Sequence, residues 1–204
     1  MKDKRRTQVE RTAATREALI AAGRSLFSEY GYHDVGTETI ARQAGVSRGA
    51  LYHQFADKSD LFAAVFEAVE AAVIAGIGRT VEAAADADPV ARMRLAASSW
   101  LDACGDAEVL RIALIDGPAA LGWGRWREIG DRYGVALAVR LVTDGIDAGR
   151  IAQLPVAALA HVLVGTLRES ALYLAAASDK VSARAEVGVV IDRMIASLAT
   201  LPDK

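Results

Sequence analysis

The sequence predicts an all-α protein of about nine helices. Apolar residues recur at helical spacing along most of the 204 residues, no stretch alternates apolar and polar residues as a half-buried strand does, and none of the four prolines interrupts an apolar stripe. A hydrophobic content of 52% is ample for a folded core. We expect a small N-terminal unit of three helices, residues 1–57, packed on a larger helical unit, residues 58–204.

The N-terminal unit is predicted to contain one long and two short helices. Gly31 and Gly45 supply left-handed stops after the first and second helices, and Ser47 caps the third. The expected ranges are 12–30, 37–44 and 48–54. Residues 1–11 are expected to form a flexible basic arm, whose cationic residues are Lys2, Lys4, Arg5, Arg6 and Arg11.

The larger unit is predicted to begin with a long helix at Lys58. Asp88-Pro89 reads as an N-cap followed by proline at the first helical position. The Gly/Pro/Trp-rich run GPAALGWG, residues 117–124, is predicted to be a connection. The expected helices are 58–86, 89–104, 106–116, 125–149, 155–178 and 182–199.

Composition and charge restrict the function classes. Charged residues follow Met1 without an apolar run, so neither a signal peptide nor a membrane span is expected, and the single cysteine, Cys104, suits a reducing cytoplasm. The net charge is −2, divided into +3 over residues 1–55 and −5 over the remainder. This division permits nucleic-acid contact through the N-terminal unit alone.

The stretch GVSRGALYHQF, residues 45–55, has two incompatible interpretations. Its first five residues match G-x-S-x-G, the pattern of a hydrolase nucleophile elbow, which would make Ser47 a nucleophile. The same residues also match the turn and second helix of a helix-turn-helix. The residues around the stretch decide between an enzyme and a DNA-binding protein.

The elbow interpretation needs a strand before the serine. The preceding residues TETIARQA instead have the spacing of a short amphipathic helix. Ser47, Asp116 and His161 stand in the order of a hydrolase triad, but almost any chain of this length offers such a set. A serine hydrolase therefore stays a remote alternative, and we expect that the protein is not an enzyme.

The helix-turn-helix interpretation accounts for every residue of the stretch. Leu51 and Phe55 face inward, while Arg48 and Tyr52 lie four residues apart on an outward face, as do Gly49 and His53. Arg48 can reach the O6 and N7 atoms of a guanine, and the small Gly49 allows a close approach to the groove. The sequence thus predicts a DNA-reading helix over residues 48–54.

Residues 12–66 strongly resemble the DNA-binding part of TetR-family transcriptional regulators. The resemblance rests on Gly31-Tyr32, Ile40-Ala41 and the run AGVSRGALYHQFADKSDL, residues 44–61. The sequence departs from the family at Val35-Gly36, where members often have two hydroxyl residues, so the phosphate-contact role passes to Thr37. The resemblance implies DNA contacts by Thr37, Ser47, Arg48, Gly49, Tyr52, His53 and Lys58.

The resemblance also implies a homodimer that reads a pseudo-palindromic operator through two recognition helices. The last two predicted helices carry apolar stripes at helical spacing that suit a four-helix interface, although core packing within one chain could use up both. The residues expected at this interface are Leu163, Leu167, Leu174, Val187, Ile191, Met194, Ile195 and Leu198.

The resemblance further implies a repressor that a small, largely apolar ligand releases from its operator. Candidate ligand contacts are mostly aromatic or apolar residues outside the N-terminal unit, namely Trp100, Cys104, Leu114, Trp123, Trp126, Tyr133, His161 and Tyr173. No residues have metal-ligand spacing and no glycine-rich loop follows a strand, so no metal or cofactor is expected. A DNA-binding protein of this fold without a small-molecule effector is the alternative, and activation rather than repression remains open.

Overall fold

The computed structural model describes residues 8–200. The structure is 81% helical, which confirms the predicted all-α class. Within residues 8–200 there is no strand, and the one β-type feature is an isolated bridge between Ile151 and Ala199.

Residues 8–200 contain ten α-helical segments, two pairs of which are joined by π-helical turns. The segments are α1 (Gln8–Tyr30), α2 (Thr37–Gln43), α3 (Arg48–Gln54), α4 (Lys58–Ala83), α5 (Pro89–Ala103), α6 (Ala107–Val109), α7 (Gly117–Gly130), α8 (Ala136–Asp147), α9 (Val156–Ala176) and α10 (Lys180–Ala196). The π-helical turns Leu110–Asp116 and Asp131–Val135 join α6 to α7 and α7 to α8. Residues 8–200 therefore form eight helical stretches, one of which is broken at Gly122, close to the predicted number of about nine.

Residues 117–124 are helical, so the predicted connection is wrong. They form the first half of α7, and Pro118 lies just after the π-helical turn Leu110–Asp116. The helical path breaks only at Gly122, whose φ is 72° and ψ 158°. A single glycine with a positive φ thus provides the break in place of the predicted loop. The local composition does not distinguish a helix broken at one glycine from a loop.

Helix α1 begins at Gln8, so residues 8–11 of the predicted flexible arm are helical. The hydroxyl of Thr12 donates to the Gln8 carbonyl oxygen at 3.0 Å, a bond within the first turns of this helix. No glycine or proline stands before Thr12 to stop the helix from extending in this direction. The other cationic residues of the arm, Lys2, Lys4, Arg5 and Arg6, lie outside the described residues.

The chain divides into two compact units. The first contains the described residues up to Val69 together with Arg111–Trp126. In this unit α1, α2 and α3 pack on one another, and Phe27, Leu51 and Phe55 are fully buried. This burial fixes the orientation of the short helices α2 and α3, which are too short to be stable alone.

The second unit contains Glu70–Leu110 and the described residues from Arg127 on. Helices α5, α8, α9 and α10 pack on one another in this unit. Its core includes Ile77, Leu101, Val142, Ile191 and Ile195, all buried. The apolar stripes of the terminal helices therefore supply part of the core of their own chain.

Helix α4 is long and apolar enough to cross a membrane, with a mean hydropathy of 1.9 over its best window. Its apolar residues are nevertheless covered by protein, since Leu61, Phe62, Val65, Phe66, Val69, Ile77 and Val81 are all buried. A core helix passes the same test of length and composition. About 39% of the apolar window of α4 is buried, and we assign α4 as a core helix.

Candidate nucleic-acid interface and ligand cavity

The turn between α2 and α3 is a Schellman motif centred on Gly45. Gly45 has φ 67°, its N–H donates to the Arg42 carbonyl oxygen at 3.1 Å, and the N–H of Val46 donates to the Ala41 carbonyl oxygen at 3.0 Å. These two bonds satisfy carbonyls at the end of α2 and turn the chain sharply. The turn residues predicted from the sequence thus set the direction in which α3 leaves α2.

Ser47 is the N-cap of α3. Its Oγ accepts a hydrogen bond from the Ala50 N–H at 3.1 Å, and its backbone is extended with φ −74° and ψ 156°. Because α2 rather than a strand precedes the turn, the strand-to-helix geometry of a nucleophile elbow is not formed. The exposed Ser47 instead begins a helix whose N-terminal N–H groups favour an anion.

The outward face of α3 presents Arg48, Gly49, Tyr52 and His53, and all four are exposed. The Arg48 guanidinium lies 5.6 Å from the centre of the Tyr52 ring. The Tyr52 hydroxyl and Thr37 Oγ1 are 3.2 Å apart, which ties α3 to the first residue of α2. This hydrogen bond with Thr37 and a weaker one from Arg48 lower the pKa of Tyr52. Arg48, Gly49, Tyr52 and His53 therefore share the exposed face of α3, with Thr37 in contact with Tyr52.

Glu38 is part of this surface and was missed by the sequence reasoning. Its Oε1 accepts a hydrogen bond from Arg48 Nη1 at 2.8 Å. Both side chains are exposed, at 72% for Glu38 and 61% for Arg48. The sequence signal was faint, because the two residues are ten positions apart and a turn of unknown geometry separates them.

Lys58, at the start of α4, is half-buried. Its Nζ lies 4.3 Å from the centre of the Tyr32 ring and donates to the His33 carbonyl oxygen at 3.4 Å. Burial lowers the pKa of Lys58. These contacts give the ammonium group a structural role beside the predicted phosphate contact, which stays a prediction.

A second cation holds the C-terminal end of α3. The Arg16 guanidinium lies over the Phe55 ring at 4.4 Å, and its Nη1 donates to the Gln54 carbonyl oxygen at 3.2 Å. A cation at this helix end satisfies a carbonyl that has no partner within the helix. Arg16 therefore fixes α3 at the end opposite the Ser47 cap.

The second unit encloses an apolar cavity of about 70 Å³. Side chains from α4, α5, α8, α9 and α10 line it, among them Ile77, Trp100, Leu141, Leu163, Leu167 and Ile191. Of the eight residues predicted to contact a ligand, Trp100 alone lines this cavity. Leu163, Leu167, Ile191, Met194 and Ile195, which were predicted at a dimer interface, also line it.

Three of the predicted ligand contacts belong to the first unit rather than to the unit with the cavity: Leu114, Trp123 and Trp126. Leu114 and Trp126 are buried, and the Trp126 indole N–H donates to the Ala113 carbonyl oxygen at 2.7 Å. Trp123 is 63% exposed, with its ring centre 5.0 Å from that of Trp126. The three residues do not line this cavity, because residues 111–126 fold as part of the first unit, and their predicted ligand contact stays a prediction.

The remaining predicted contacts, which belong to the second unit, do not line the cavity either. Cys104 is buried, and burial raises the pKa of its thiol to about 12, so it is unreactive. His161 is exposed with Nδ1 3.3 Å from Arg127 Nη2, Tyr173 is 55% exposed, and Tyr133 is half-buried. Helical spacing made these residues candidates, but it did not show whether each side chain lies on the buried or the exposed face of its helix.

A half-buried pair of charges, Glu70 on α4 and Arg168 on α9, lies in the same unit. Burial raises the pKa of Glu70 to about 7, against a smaller opposite effect of the Arg168 charge. Burial likewise lowers the pKa of Arg168. The guanidinium packs so closely on α7 that a Cβ at Gly130 would lie 2.5 Å from Arg168 Nη2. Glu70 is one helical turn from Ile74, which lines the cavity.

The predicted interface residues divide into two groups. Ile191 and Ile195 are buried in the core of their own unit, and Leu163, Leu167, Leu174, Val187 and Leu198 pack against that core. Met194 is exposed, as are other apolar side chains of α9 and α10. We call these residues the outer apolar face: Val162, Tyr173, Val189, Val190 and Met194.

Two sequence families match the chain. The family described as "Bacterial regulatory proteins, tetR family" matches residues 19–65, which include the whole helix-turn-helix. The family described as "Tetracyclin repressor-like, C-terminal domain" matches residues 90–198, more than half of the chain. The chain belongs to the TetR family. Its relatives are transcriptional regulators rather than enzymes, which confirms the expectation that the protein is not an enzyme.

Solved structures and characterised relatives agree with this assignment. The crystal structure of a TetR-family transcriptional regulator from Pectobacterium atrosepticum is 31% identical, with a TM-score of 0.82, covering 97% of this chain and 100% of that one. The regulator CymR from Pseudomonas putida is 45% identical over 67 residues, 33% of each chain. The repressor BepR from Brucella suis is 44% identical over 61 residues, 30% of this chain and 29% of that protein. The chain thus spans about a third of the length of these characterised relatives.

Proposed function

We propose that this TetR-family regulator represses transcription by binding a pseudo-palindromic operator as a homodimer, and that a small, largely apolar ligand releases it. The exposed surface of Arg48, Tyr52 and Thr37, held by the Gly45 turn and the Ser47 cap, carries the proposal. Residues 1–57 then serve as the DNA-binding domain and residues 58–204 as the effector and dimerisation domain. A regulator of this kind acts on DNA in the cytoplasm.

The chemistry of the surface suits the major groove. Arg48 offers several N–H donors to a guanine edge, and Gly49 leaves the backbone of α3 open to close approach. Ser47, Thr37, His53 and Lys58 supply hydroxyl, imidazole and ammonium groups for neighbouring phosphates. Phosphate contacts set the register of the helix, and Arg48 then distinguishes between bases.

The outer apolar face supports dimerisation. Val189 and Val190 are 58% and 57% exposed on α10, and Val190 lines a surface groove together with Tyr173 of α9. Exposed apolar side chains clustered on two adjacent helices suit burial against a second copy of the same surface. A two-fold dimer would place its two recognition helices about 34–36 Å apart, one helical turn of DNA.

The cavity supports an apolar ligand, but its size limits what can bind without rearrangement. Pockets for small molecules usually measure about 300–1,000 Å³, whereas this cavity measures about 70 Å³. A ligand of ordinary size must therefore push the lining helices apart, and such a displacement is a means of coupling ligand binding to DNA release. The small volume also favours a second candidate, a DNA-binding protein of this family without a small-molecule effector.

The proposal is tested by selecting bound duplexes from a random DNA pool near physiological salt, with sequencing of the enriched pool. We expect a pseudo-palindrome with half-sites about 10 base pairs apart. The recovered operator then serves to screen small apolar compounds for release of the DNA and for a rise in melting temperature. Enrichment of no sequence by a folded dimer would contradict specific DNA reading. Enrichment without any releasing compound favours the effector-free candidate.

A matched pair of variants on α5 tests whether release acts through the cavity. Ala97 lines the cavity and Ala91 is exposed on the same helix. Ala97→Val should weaken release by a compound found in the screen while leaving operator affinity unchanged. Ala91→Val should change neither property, which controls for the lower helix propensity of valine. Equal release from both variants would place the ligand elsewhere.

A further inference from the structure

An acidic side chain stands in the middle of the surface proposed to meet DNA. Glu38 lies in the first turn of α2, and its side chain is 72% exposed. A carboxylate on a surface that approaches phosphates is repelled by them, so it disfavours binding to DNA in general. A carboxylate at this position needs a cationic side chain beside it to offset the repulsion from phosphates.

The partner is Arg48. Arg48 Nη1 donates to Glu38 Oε1 at 2.8 Å, while the face of the Tyr52 ring lies 5.6 Å from the guanidinium carbon. Tyr52 is itself held by Thr37 at 3.2 Å. Two elements thus fix the Arg48 side chain, with Glu38 on α2 and Tyr52 on α3. An exposed ion pair of this kind contributes little to folding stability, so fold stability does not account for it.

The ion pair leaves donors and acceptors free for base edges. A guanidinium has five N–H groups, and the hydrogen bond to Glu38 and the weaker one to Tyr52 use only some of them. The remaining donors can still form the paired bonds to guanine O6 and N7. The Glu38 carboxylate retains acceptor sites, and the major-groove donor that a carboxylate recognises is the N4 amino group of cytosine.

We propose that Glu38 is a positioning and specificity residue of the DNA-reading surface, which orients Arg48 towards a guanine and selects a cytosine at a neighbouring base pair. The inference rests on the proposed function, since it assumes that α3 reads the major groove. Glu38 lowers affinity for DNA of arbitrary sequence and favours sites that present a hydrogen-bond donor to its carboxylate. Glu38 therefore raises the ratio of specific to non-specific DNA binding rather than the affinity alone.

The test compares Glu38→Gln and Glu38→Ala with the unchanged protein and with Glu17→Gln, which alters an exposed acid on α1. Each protein is used to select duplexes from the random pool, and its affinity is measured for the operator and for single-position variants. We expect Glu38→Gln and Glu38→Ala to lose about 5- to 10-fold of the preference for cytosine at one position per half-site. Both should bind unrelated DNA more tightly, whereas Glu17→Gln should leave the preference unchanged.

A double-mutant cycle with Arg48→Ala tests the coupling of the two side chains. In the Arg48→Ala background, Glu38→Gln should have a smaller effect on base preference than in the unchanged protein, because the oriented partner is gone. Additive effects, or an unchanged preference in both Glu38 variants, would overturn the inference. If the unchanged protein enriches a sequence that depends on Arg48 but not on Glu38, only this inference fails. If it enriches none, the proposed function itself fails.

Discussion

Gly45 and Ser47 show how single residues determine the geometry of the DNA-reading surface. Gly45 takes the left-handed conformation that the Schellman turn requires, and Ser47 satisfies an N–H group at the start of α3. Both roles depend on the local backbone alone. The direction of α3, and with it the positions of Arg48 and Tyr52, follows from these two residues and from the burial of Leu51.

Removing the Arg48 side chain should weaken and relax DNA recognition. We expect Arg48→Ala to lower affinity for the operator by about 1–3 kcal/mol and to abolish the preference at one base position in each half-site. The measurement is binding to the operator and to its single-position variants, with Arg79→Ala, an exposed residue of the second unit, as the control. An equal loss of affinity for all sequences would show that Arg48 contacts only phosphate.

Glu70 is the residue that most directly links stability to pH. Burial raises its pKa to about 7, above the ordinary value of a glutamate. At a pH below the ordinary value the carboxyl is protonated in both the folded and the unfolded chain, so it has no effect on their balance. As the pH rises towards 7, the unfolded chain ionises while the folded one stays protonated, which favours unfolding. Above pH 7 both forms are ionised and the loss is complete.

Replacing Glu70 by glutamine should remove this pH dependence. The unchanged protein should lose on the order of 2–3 kcal/mol of unfolding free energy between about pH 4 and pH 7 from this group, since each pKa unit corresponds to about 1.4 kcal/mol. Denaturant unfolding of Glu70→Gln over that range should give a flatter profile. Glu82→Gln, an exposed change on the same helix, should follow the unchanged protein. Parallel profiles for all three proteins would rule out Glu70 as the source.

Helix α7 is an element whose first residues have the composition of a loop although they are mostly helical. Its glycines have different surroundings: a Cβ at Gly117 would lie 2.7 Å from Cδ1 of the buried Trp126 ring, whereas one at Gly124 would meet nothing within 4 Å. Gly122 alone has the positive φ that interrupts the helix. Of the four glycines of α7, Gly117 allows close packing, Gly122 breaks the helix and Gly124 lies at an open surface.

The contrast between Gly117 and Gly124 gives a prediction for this element. Gly117→Ala should force the Trp126 indole to move and lower stability by about 1–3 kcal/mol, the usual cost of overpacking. Gly124→Ala should leave stability unchanged or raise it slightly, because alanine is the better helix former. Thermal unfolding measures both, and tryptophan fluorescence should change in the first variant. Equal melting temperatures would contradict this account of the packing.

At the scale of the whole molecule, one side of α10 packs in the core of its own unit, and the other side carries exposed apolar residues that are proposed to form the dimer. Ile191 is 7% exposed and belongs to the core of its unit, whereas the adjacent Val190 is 57% exposed on the outer apolar face. Although Ile191 was predicted at the dimer interface, a charge at position 191 would be buried within the chain. Ile191→Asp therefore tests folding, and a test of dimerisation must use Val190.

We expect Val190→Asp to prevent dimerisation while leaving the monomer folded, because a buried charge on each copy would have to lose its hydration. Operator affinity should fall although the DNA-reading surface is unchanged, since a two-fold site needs both recognition helices. Light scattering after size exclusion gives the mass, circular dichroism the fold, and operator titration the affinity. Val181→Asp, at an 83% exposed position at the start of α10, is the control. A folded monomer that binds the operator as tightly as the unchanged protein would contradict the proposed mode of reading.

The sequence by itself determined the features that short segments control. The Gly45 turn, the Ser47 cap, the Asp88-Pro89 helix start and the ranges of α2 and α3 were predicted to within one residue. Caps, left-handed glycines and helix-opening prolines act through the nearest few residues, and the resemblance to TetR regulators reinforced these local signals over the same segment. The all-α class followed from apolar periodicity for the same reason.

Only the tertiary structure decided which partner each face meets. It placed Ile191 and Ile195 in the core and Val190 outside, assigned Trp126 to the first unit and Trp100 to the cavity, and brought Glu38 against Arg48. Periodicity shows that a helix has an apolar face, but it does not show which of several neighbouring helices that face packs against. That choice depends on contacts between residues far apart in the chain, which form only when the whole set of helices is assembled.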